Sequence, residues 1–257
     1  MAKRLSKRLQ AVADFVPENA RLVDIGTDHA HLPIALLQEG RIKSAIAMDV
    51  VEGPLARARQ NVEQCDASVQ NRIALRLSDG FSALQTNEAD CAVLAGMGGD
   101  LMIRILAAKD VKALGLKTLV LEPQSEAQAV RRYLREHDLF LNDEAMVTEA
   151  NKFYPVLQVV CEGMHTLYDT ARNALLQAQV PEAFVEEMLF RFGPSLLLKK
   201  DGMLSSFLLK EQARLDGIIK EMGRLKQTDE MQESAVFLDR TMLTHAISYL
   251  TGGEDEV

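Results

Sequence analysis

The chain has 257 residues, of which 47% are hydrophobic and 26% are charged, a balance typical of a globular protein with one or two domains. No apolar run is long enough to cross a bilayer, and the basic N-terminus lacks the apolar segment of a secretory signal, so we expect a cytoplasmic protein without a membrane partner. The net charge of −8 argues mildly against a nucleic-acid partner but does not exclude a local basic surface.

Short apolar, β-rich segments alternate with helical patterns in the first half of the chain, which is typical of βαβ units around a parallel sheet. The pattern predicts five parallel strands at residues 21–25, 44–49, 73–77, 89–95 and 117–121. It also predicts helices at residues 30–38, 53–64 and 127–136. The fold class is therefore α/β.

The pattern changes after the fifth strand. Residues 139–148 and 153–161 are two strand-like segments without a helix between them, so we expect them to pair antiparallel. Five parallel strands followed by such a hairpin are the layout of Rossmann-like class I methyltransferases, whereas a dinucleotide-binding sheet normally continues with parallel strands. The sequence therefore predicts a methyltransferase domain over residues 1–163.

Residues 164–257 have a helical pattern throughout. Within residues 204–225, hydrophobic residues at alternating spacings of four and three form a heptad seam, and a second long helix is predicted over 231–250. This indicates a C-terminal α-helical coiled-coil domain, although an ordinary helical hairpin packed on the first domain would also fit. Residues 252–257 are expected to be disordered.

Most candidate site residues follow the predicted strands, because open α/β sheets bind ligands at the carboxyl ends of their strands. The first loop contains Asp24, Gly26, Asp28 and His29, and Gly26 leaves room for a ligand to approach the backbone. Asp49 ends the second strand and can accept hydrogen bonds from ribose hydroxyls. The other candidates for cofactor binding are Val50, Asp79, Gly80, Gly96, Met97 and Gly98.

The first loop distinguishes between cofactors. It lacks the G-x-G-x-x-G pattern, and Asp24 and Asp28 would repel a diphosphate at the following helix N-terminus. S-adenosylmethionine instead carries an ammonium and a sulfonium group, which carboxylates favour. Each motif has a structural explanation, namely a helix cap at Asp49, a turn at Asp79 and close packing at the glycines. Their occurrence at four successive strand ends nevertheless favours S-adenosylmethionine as the cofactor.

Cysteine and histidine do not form a metal-binding pattern. Cys65, Cys91 and Cys161 are widely separated and make no C-x-x-C pair, so neither a disulfide framework nor a zinc site is indicated. His29 and His31 lie beside the candidate site, where a lone histidine is more often a hydrogen-bonding residue than a catalyst. We therefore predict no metal site.

Five short segments occur together in this chain: L-S-K-R-L at 5–9, D-I-G-T-D-H-A at 24–30, V-V-E-G-P at 50–54, A-G-M-G-G at 95–99 and F-G-P at 192–194. They resemble the TrmK family of bacterial tRNA (adenine-N1)-methyltransferases, which modify the adenosine at position 22 of tRNA. The resemblance spans nearly the whole chain. It implies a Rossmann-like methyltransferase domain followed by a helical coiled-coil domain, with S-adenosylmethionine as cofactor and tRNA as substrate.

The chain departs from the family pattern at four positions. Glu122 and Gln124 surround the proline after the fifth strand, where the family usually has Gln and Asn. His31 and Pro155 stand where Tyr and Glu are common. If these positions contact the target adenine, base selection or rate would differ, whereas the cofactor assignment would not.

The reaction implied is an in-line displacement at adenine N1, whose lone pair needs no strong base, so positioning supplies most of the acceleration. The product base is cationic, and a nearby carboxylate would stabilise the developing charge. Asp28 is the first candidate for this catalytic carboxylate and Glu122 is the second. N1 lies on the Watson–Crick edge, so the base must be unpaired or flipped out.

An acidic protein that binds tRNA needs a local basic surface, and three groups of basic residues are candidates for phosphate contacts. Each group is also explained as a solvated helix face. The groups are Lys3, Arg4, Lys7 and Arg8; Arg131, Arg132 and Arg135; and Lys199, Lys200, Lys210 and Arg214.

Two other functions stay open at the level of sequence. One is a methyltransferase acting on a small molecule or a protein, and the other is a non-catalytic RNA-binding protein of the same fold. The coiled coil would engage tRNA or form a dimer, and the sequence itself implies no oligomeric partner.

Overall fold

The computed structural model of the protein describes residues 5–224 and 230–252. The predictions made for Lys3, Arg4, Leu225 and residues 253–257 lie outside these ranges. The chain divides into two compact units, Met1–His165 and Thr166–Val257, and each is described separately below. None of the described helices is both long and apolar enough to cross a membrane.

One seven-stranded sheet forms the centre of the first unit. Its strands are β1 Ala20–Ile25, β2 Ile42–Asp49, β3 Ile73–Leu77, β4 Cys91–Met97, β5 Thr118–Pro123, β6 Phe140–Glu149 and β7 Lys152–Val160. The strand order is β3-β2-β1-β4-β5-β7-β6. Strands β1 to β5 pair in parallel, and β7 pairs antiparallel with both β5 and β6. The predicted parallel sheet with a terminal hairpin is confirmed.

Among the described residues of this unit, six helices and one 3₁₀ turn accompany the sheet. They are α1 Lys7–Phe15, α2 His31–Gln38, α3 Glu52–Glu63, α4 Ala67–Gln70, α5 Gly99–Ala107 and α6 Ala127–Glu136, with the 3₁₀ turn at Asp28–Ala30. The helices predicted at 30–38, 53–64 and 127–136 correspond to α2, α3 and α6. The hydrophobic pattern did not predict α4, which is a single turn, or α5, which begins within a glycine-rich segment of low helix propensity.

The central strands are buried, and their sequences are continuously apolar for that reason. Ala92, Val93 and Leu94 of β4 have no exposed surface, and Leu119 and Val120 of β5 are equally buried. The strand order reverses at β1, because the chain passes from β1 to β2 on one side and returns as β4 on the other. The carboxyl ends of β1 and β4 therefore face a crevice at which ligands of such sheets bind.

The second unit is helical. Its helices are α7 Thr166–Gln177, α8 Glu182–Phe192, α9 Pro194–Leu198, α10 Gly202–Met222 and α11 Glu230–Thr251. The two long helices, α10 and α11, pack against each other, and the seam residues Leu204, Leu208 and Leu215 of α10 are buried. Arg240 of α11 also forms an ion pair with Asp216 of α10 at 2.6 Å. The classification of this helix pair as a coiled coil stays a prediction.

Candidate active site

A cavity of about 290 Å³ lies at the carboxyl ends of β1 and β4, where the strand order reverses. We call it the sheet-edge cavity. Its polar lining comes from Arg8, Asp24, Thr27, Asp28, His31 and Gln124, and two glycines, Gly26 and Gly96, also line it. The structure thus brings together residues that the sequence analysis had placed after different strands.

Asp24 is the buried carboxylate of this cavity, with 5% of its surface exposed. The Thr27 hydroxyl donates a hydrogen bond to its Oδ2 at 2.6 Å. Burial raises the pKa of Asp24 to about 6, which the Thr27 hydrogen bond opposes and nearby Asp49 reinforces. A cation in the cavity would stabilise the ionised form. Thr27 was missed in the sequence, although its spacing from Asp24 suits a side-chain hydrogen bond across a turn.

The loop after β1 holds three consecutive non-glycine residues in the left-handed region. Asp28, His29 and Ala30 have φ angles of 25°, 67° and 57°. Such conformations cost about 1–3 kcal/mol each and concentrate at functional sites. Asn61 donates a hydrogen bond to the His29 carbonyl at 2.9 Å, and His29 Nε2 lies 3.2 Å from Asp28 Oδ1. The Asp28 side chain is 72% exposed, so a ligand can reach it.

Glu122, at the end of β5, is completely buried and is bonded to two residues that line the sheet-edge cavity. Its Oε2 accepts hydrogen bonds from Arg8 Nη1 and from the Gly96 amide, each at 2.7 Å. Its Oε1 has no hydrogen-bond partner within the described part of the chain. Burial raises the pKa of Glu122, an effect that Arg8 and the Gly96 hydrogen bond oppose. Glu122 has no exposed surface and is not among the residues that line the cavity, and its predicted catalytic role stays a prediction.

The same contacts correct the prediction for Arg8, which is not a surface residue available to phosphate. Its side chain is 21% exposed, its Nε lies 3.7 Å from Glu149 Oε2, and its guanidinium lies 5.4 Å from the centre of the Tyr154 ring. Ser6 caps α1 by accepting a hydrogen bond from the Leu9 amide at 3.3 Å, which places Arg8 in the first helical turn. Arg8 therefore joins α1 to the sheet.

The glycines after β4 are needed for different structural reasons. Gly96 has a φ of 81°, and a Cβ there would lie 3.3 Å from Arg8 Nη1. A Cβ at Gly98 would lie 3.1 Å from Ser125 Oγ, and one at Gly99 would lie 2.8 Å from the Ser125 carbonyl. Gly96 therefore shapes the cavity, whereas Gly98 and Gly99 allow α5 to begin close to the loop after β5.

The remaining cofactor candidates do not line the sheet-edge cavity but lie along the same edge of the sheet. Asp49 Oδ1 accepts a hydrogen bond from the Val51 amide at 2.9 Å. Val50, Val51 and Leu77 are exposed apolar residues, at 62%, 55% and 57%, and they lie at or directly after the ends of β2 and β3. The other candidates are Asp79, which is exposed, Gly80, which has a φ of 52°, and Met97, whose Cε would lie 3.2 Å from a Cβ at Gly26.

The basic candidates differ in their accessibility. Arg131 is 1% exposed and its Nε forms an ion pair with Glu144 Oε1 at 2.7 Å. The prediction that Arg131 contacts tRNA is therefore wrong, because reaching a phosphate would leave a buried carboxylate unpaired. Lys7, Lys199 and Lys200 are exposed, and Arg132 is half-buried. Their proposed role in tRNA binding stays a prediction.

Histidine and cysteine form no metal centre among the described residues, where no group of three potential ligands comes together. His29 and His31 stack with ring centres 5.4 Å apart. Burial raises the pKa of the Cys91 thiol, and it raises that of Cys161 to about 11. These two thiols therefore stay protonated at neutral pH.

Comparisons with known proteins agree with this architecture. Residues 5–157 match the family described as methyltransferase domain. The tRNA (adenine(22)-N(1))-methyltransferase of Bacillus subtilis is 36% identical over 166 residues, which cover 65% of this chain and 69% of that protein.

Two solved structures extend the similarity to nearly the whole chain. The B. subtilis m1A22 tRNA methyltransferase TrmK has a TM-score of 0.78 at 28% identity, with 95% of this chain and 99% of that chain covered. A Streptococcus pneumoniae protein in complex with S-adenosyl-L-methionine has a TM-score of 0.73 at 31% identity, with 98% and 100% covered. The sheet, its edge cavity and these similarities show that the chain belongs to the TrmK family of methyltransferases.

Proposed function

We propose that this protein transfers the methyl group of S-adenosylmethionine to N1 of the adenine at position 22 of cytoplasmic tRNA. The observation that carries the proposal is the pair Asp24 and Asp28 in the sheet-edge cavity, one carboxylate buried and one exposed. These carboxylates favour a sulfonium cofactor and disfavour a diphosphate. The family relationship supports tRNA as the substrate, since the B. subtilis relative is a tRNA (adenine(22)-N(1))-methyltransferase.

The chemistry along the sheet edge suits the parts of S-adenosylmethionine. Asp24 offers a buried carboxylate to an ammonium or sulfonium group, and Asp49 offers acceptors to ribose hydroxyls. The exposed apolar side chains of Val50, Val51 and Leu77 suit contact with one face of an adenine ring. We further assign to the cofactor site Gly26, Asp28, His29, Asp79, Gly80, Gly96, Met97 and Gly98.

When bound, S-adenosylmethionine supplies an electrophilic methyl group on a sulfonium centre. The protein's task is to position the target base, because adenine N1 already carries the attacking lone pair. Asp28 is our catalytic carboxylate, since its accessible side chain can stabilise the cationic product base. Glu122 is a positioning residue that holds Arg8 and the Gly96 amide. The exposed Gln124 amide lines the cavity and can pair with an adenine edge.

The test is methyl transfer from labelled S-adenosylmethionine to unmodified tRNA, followed by mapping of the methylated nucleotide. We expect label at adenine 22 and none in a tRNA with guanine at that position. Cofactor binding without tRNA methylation would instead support a methyltransferase acting on a small molecule or a protein. Tight tRNA binding without cofactor binding would support a non-catalytic RNA-binding protein.

A further inference from the structure

A second cavity, of about 310 Å³, lies within the helical unit. We call it the helical-unit cavity. It is formed by the segment after α7, the turn between α9 and α10, and the carboxyl end of α11. Its polar side chains are Lys200, His245, Ser248 and Tyr249. All four can donate a hydrogen bond and none is a carboxylate, so the lining suits an anion.

Lys200 occupies a backbone position at which glycine is normally found. Its φ is 49°, and it follows α9 in a turn closed by the Lys200 amide bonding to the Leu197 carbonyl and the Asp201 amide bonding to the Leu196 carbonyl, both at 3.0 Å. This is the left-handed residue of a Schellman motif, where a side chain is strained. The backbone therefore favours glycine at this position, although the turn after α7 has the same hydrogen-bond pattern and also carries a side chain there, Gln179, with a φ of 61°.

The neighbouring acidic residue, Asp201, is engaged by the N-terminus of α10. The Asp201 carboxylate caps α10 by accepting hydrogen bonds from the Met203 and Leu204 amides at 2.8 and 2.9 Å. The Lys200 ammonium lies 5.6 Å from the centre of the Tyr249 ring, at the cavity wall. The Lys200 ammonium thus lies at the cavity wall, where an anion in the cavity can reach it.

We propose that the helical-unit cavity binds a phosphate group of the tRNA backbone, with Lys200 as the cationic anchor and Ser248, Tyr249 and His245 as hydrogen-bond donors. This inference rests on the proposed tRNA substrate. It adds a specific point at which the helical unit contacts the tRNA backbone. Phosphate contacts of this kind position a nucleic acid without reading its sequence. Free inorganic phosphate has the same chemistry, and the experiment separates the two sources.

Lys200 also has a purely structural explanation. Its ammonium would lie 3.9 Å from a Cβ at Gly252, so it sits at the carboxyl end of α11, where a helix dipole favours a cation. If that were its role, its removal would lower the melting temperature. If phosphate binding is its role, its removal would lower tRNA affinity while the melting temperature is kept or raised.

The test is Lys200→Gly in the full-length protein, a variant that suits the left-handed backbone and should therefore fold. We expect tRNA binding to weaken several-fold and the slope of log affinity against log salt to fall by about one unit. The KM for tRNA should rise at unchanged kcat, and cofactor affinity should not change. Lys220→Ala is the control, because it removes the same charge from an exposed position on α10 outside the cavity.

Three results would overturn the inference. The first is tRNA affinity and salt slope equal to those of the wild type, and the second is an equal loss in Lys200→Gly and Lys220→Ala. The third is a melting temperature that inorganic phosphate raises in the wild type but not in Lys200→Gly, while the two proteins bind tRNA equally well. The cavity would then bind free phosphate and not tRNA. If the wild type itself neither binds nor methylates tRNA, the proposed function fails as well, which distinguishes the two failures.

Discussion

The two cavities have similar volumes, about 290 Å³ at the sheet edge and about 310 Å³ in the helical unit, but polar linings of opposite character. The first contains Asp24 and Asp28, and its one guanidinium, Arg8, is bonded to the buried Glu122. The second contains Lys200 among hydrogen-bond donors and no carboxylate among its lining residues. Net charge is a sum over the whole chain and does not describe any single site. A chain of charge −8 can therefore still hold both a cationic cofactor and an anionic substrate.

The strongest test of the acidic cavity is Gly96→Val. A branched side chain is strained at a φ of 81°, and its Cβ would lie 3.3 Å from Arg8 Nη1, so the added side chain would occupy the cavity and displace the Arg8 guanidinium. We expect calorimetry to detect no S-adenosylmethionine binding by the folded variant. Gly40→Val is the control, because Gly40 has a φ of 70° with nothing within 4 Å of its Cβ position. Unchanged cofactor affinity in Gly96→Val would remove this loop from the site.

The next largest expected effect is the loss of stability when Glu122, the carboxylate that pairs with Arg8, is removed. Glu122→Ala leaves both Arg8 and the Gly96 amide without their acceptor, so we expect the free energy of unfolding to fall by about 3 kcal/mol. Glu122→Gln keeps an acceptor for Gly96 and should lose less. Chemical denaturation measures both variants. A Glu122→Ala variant of full stability that loses kcat alone would restore Glu122 as the catalytic carboxylate.

Asp49→Ala tests whether the acidic character of the site extends along the sheet edge. We expect S-adenosylmethionine binding to weaken by about 1–3 kcal/mol, the scale of hydrogen bonds to a charged acceptor. Asp66→Ala is the matched control, because Asp66 is an exposed carboxylate before α4. Titration calorimetry at low salt would measure both variants. Equal affinities for the two would show that Asp49 only accepts the Val51 amide hydrogen bond and does not contact the ligand.

The smallest effect is a pH dependence set by Asp24. Burial raises its pKa from 3.8 to about 6, so between these values the folded protein holds a proton that the unfolded chain has lost. Stability without ligand should therefore decline as pH rises through this range. Binding of the cationic cofactor needs the ionised form and should weaken about tenfold from pH 7 to pH 5. Asp24→Asn should flatten this dependence, and a variant that keeps the same slope would assign the titration to another group.

Local pattern was sufficient for much of the fold and part of the site. The strands could be predicted because each is short, apolar and bounded by turn residues, and the terminal hairpin because no helix separates its strands. Asp24, Gly26, Asp28 and Gly96 could be grouped because the carboxyl ends of parallel strands share one edge of the sheet. These inferences need only neighbouring residues and the connection rules of parallel sheets.

Tertiary structure alone decided what the charged residues do. Arg8 and Glu122 are 114 positions apart, and the sequence treated one as an RNA contact and the other as a catalytic group before packing joined them. By its spacing, Arg131 belongs to a basic helix face, but in the structure it forms a buried ion pair with Glu144 of β6. The α6 helix illustrates the reason. Spacing gives the faces of a helix, but whether a charged face meets water or a buried partner depends on elements that are distant in sequence.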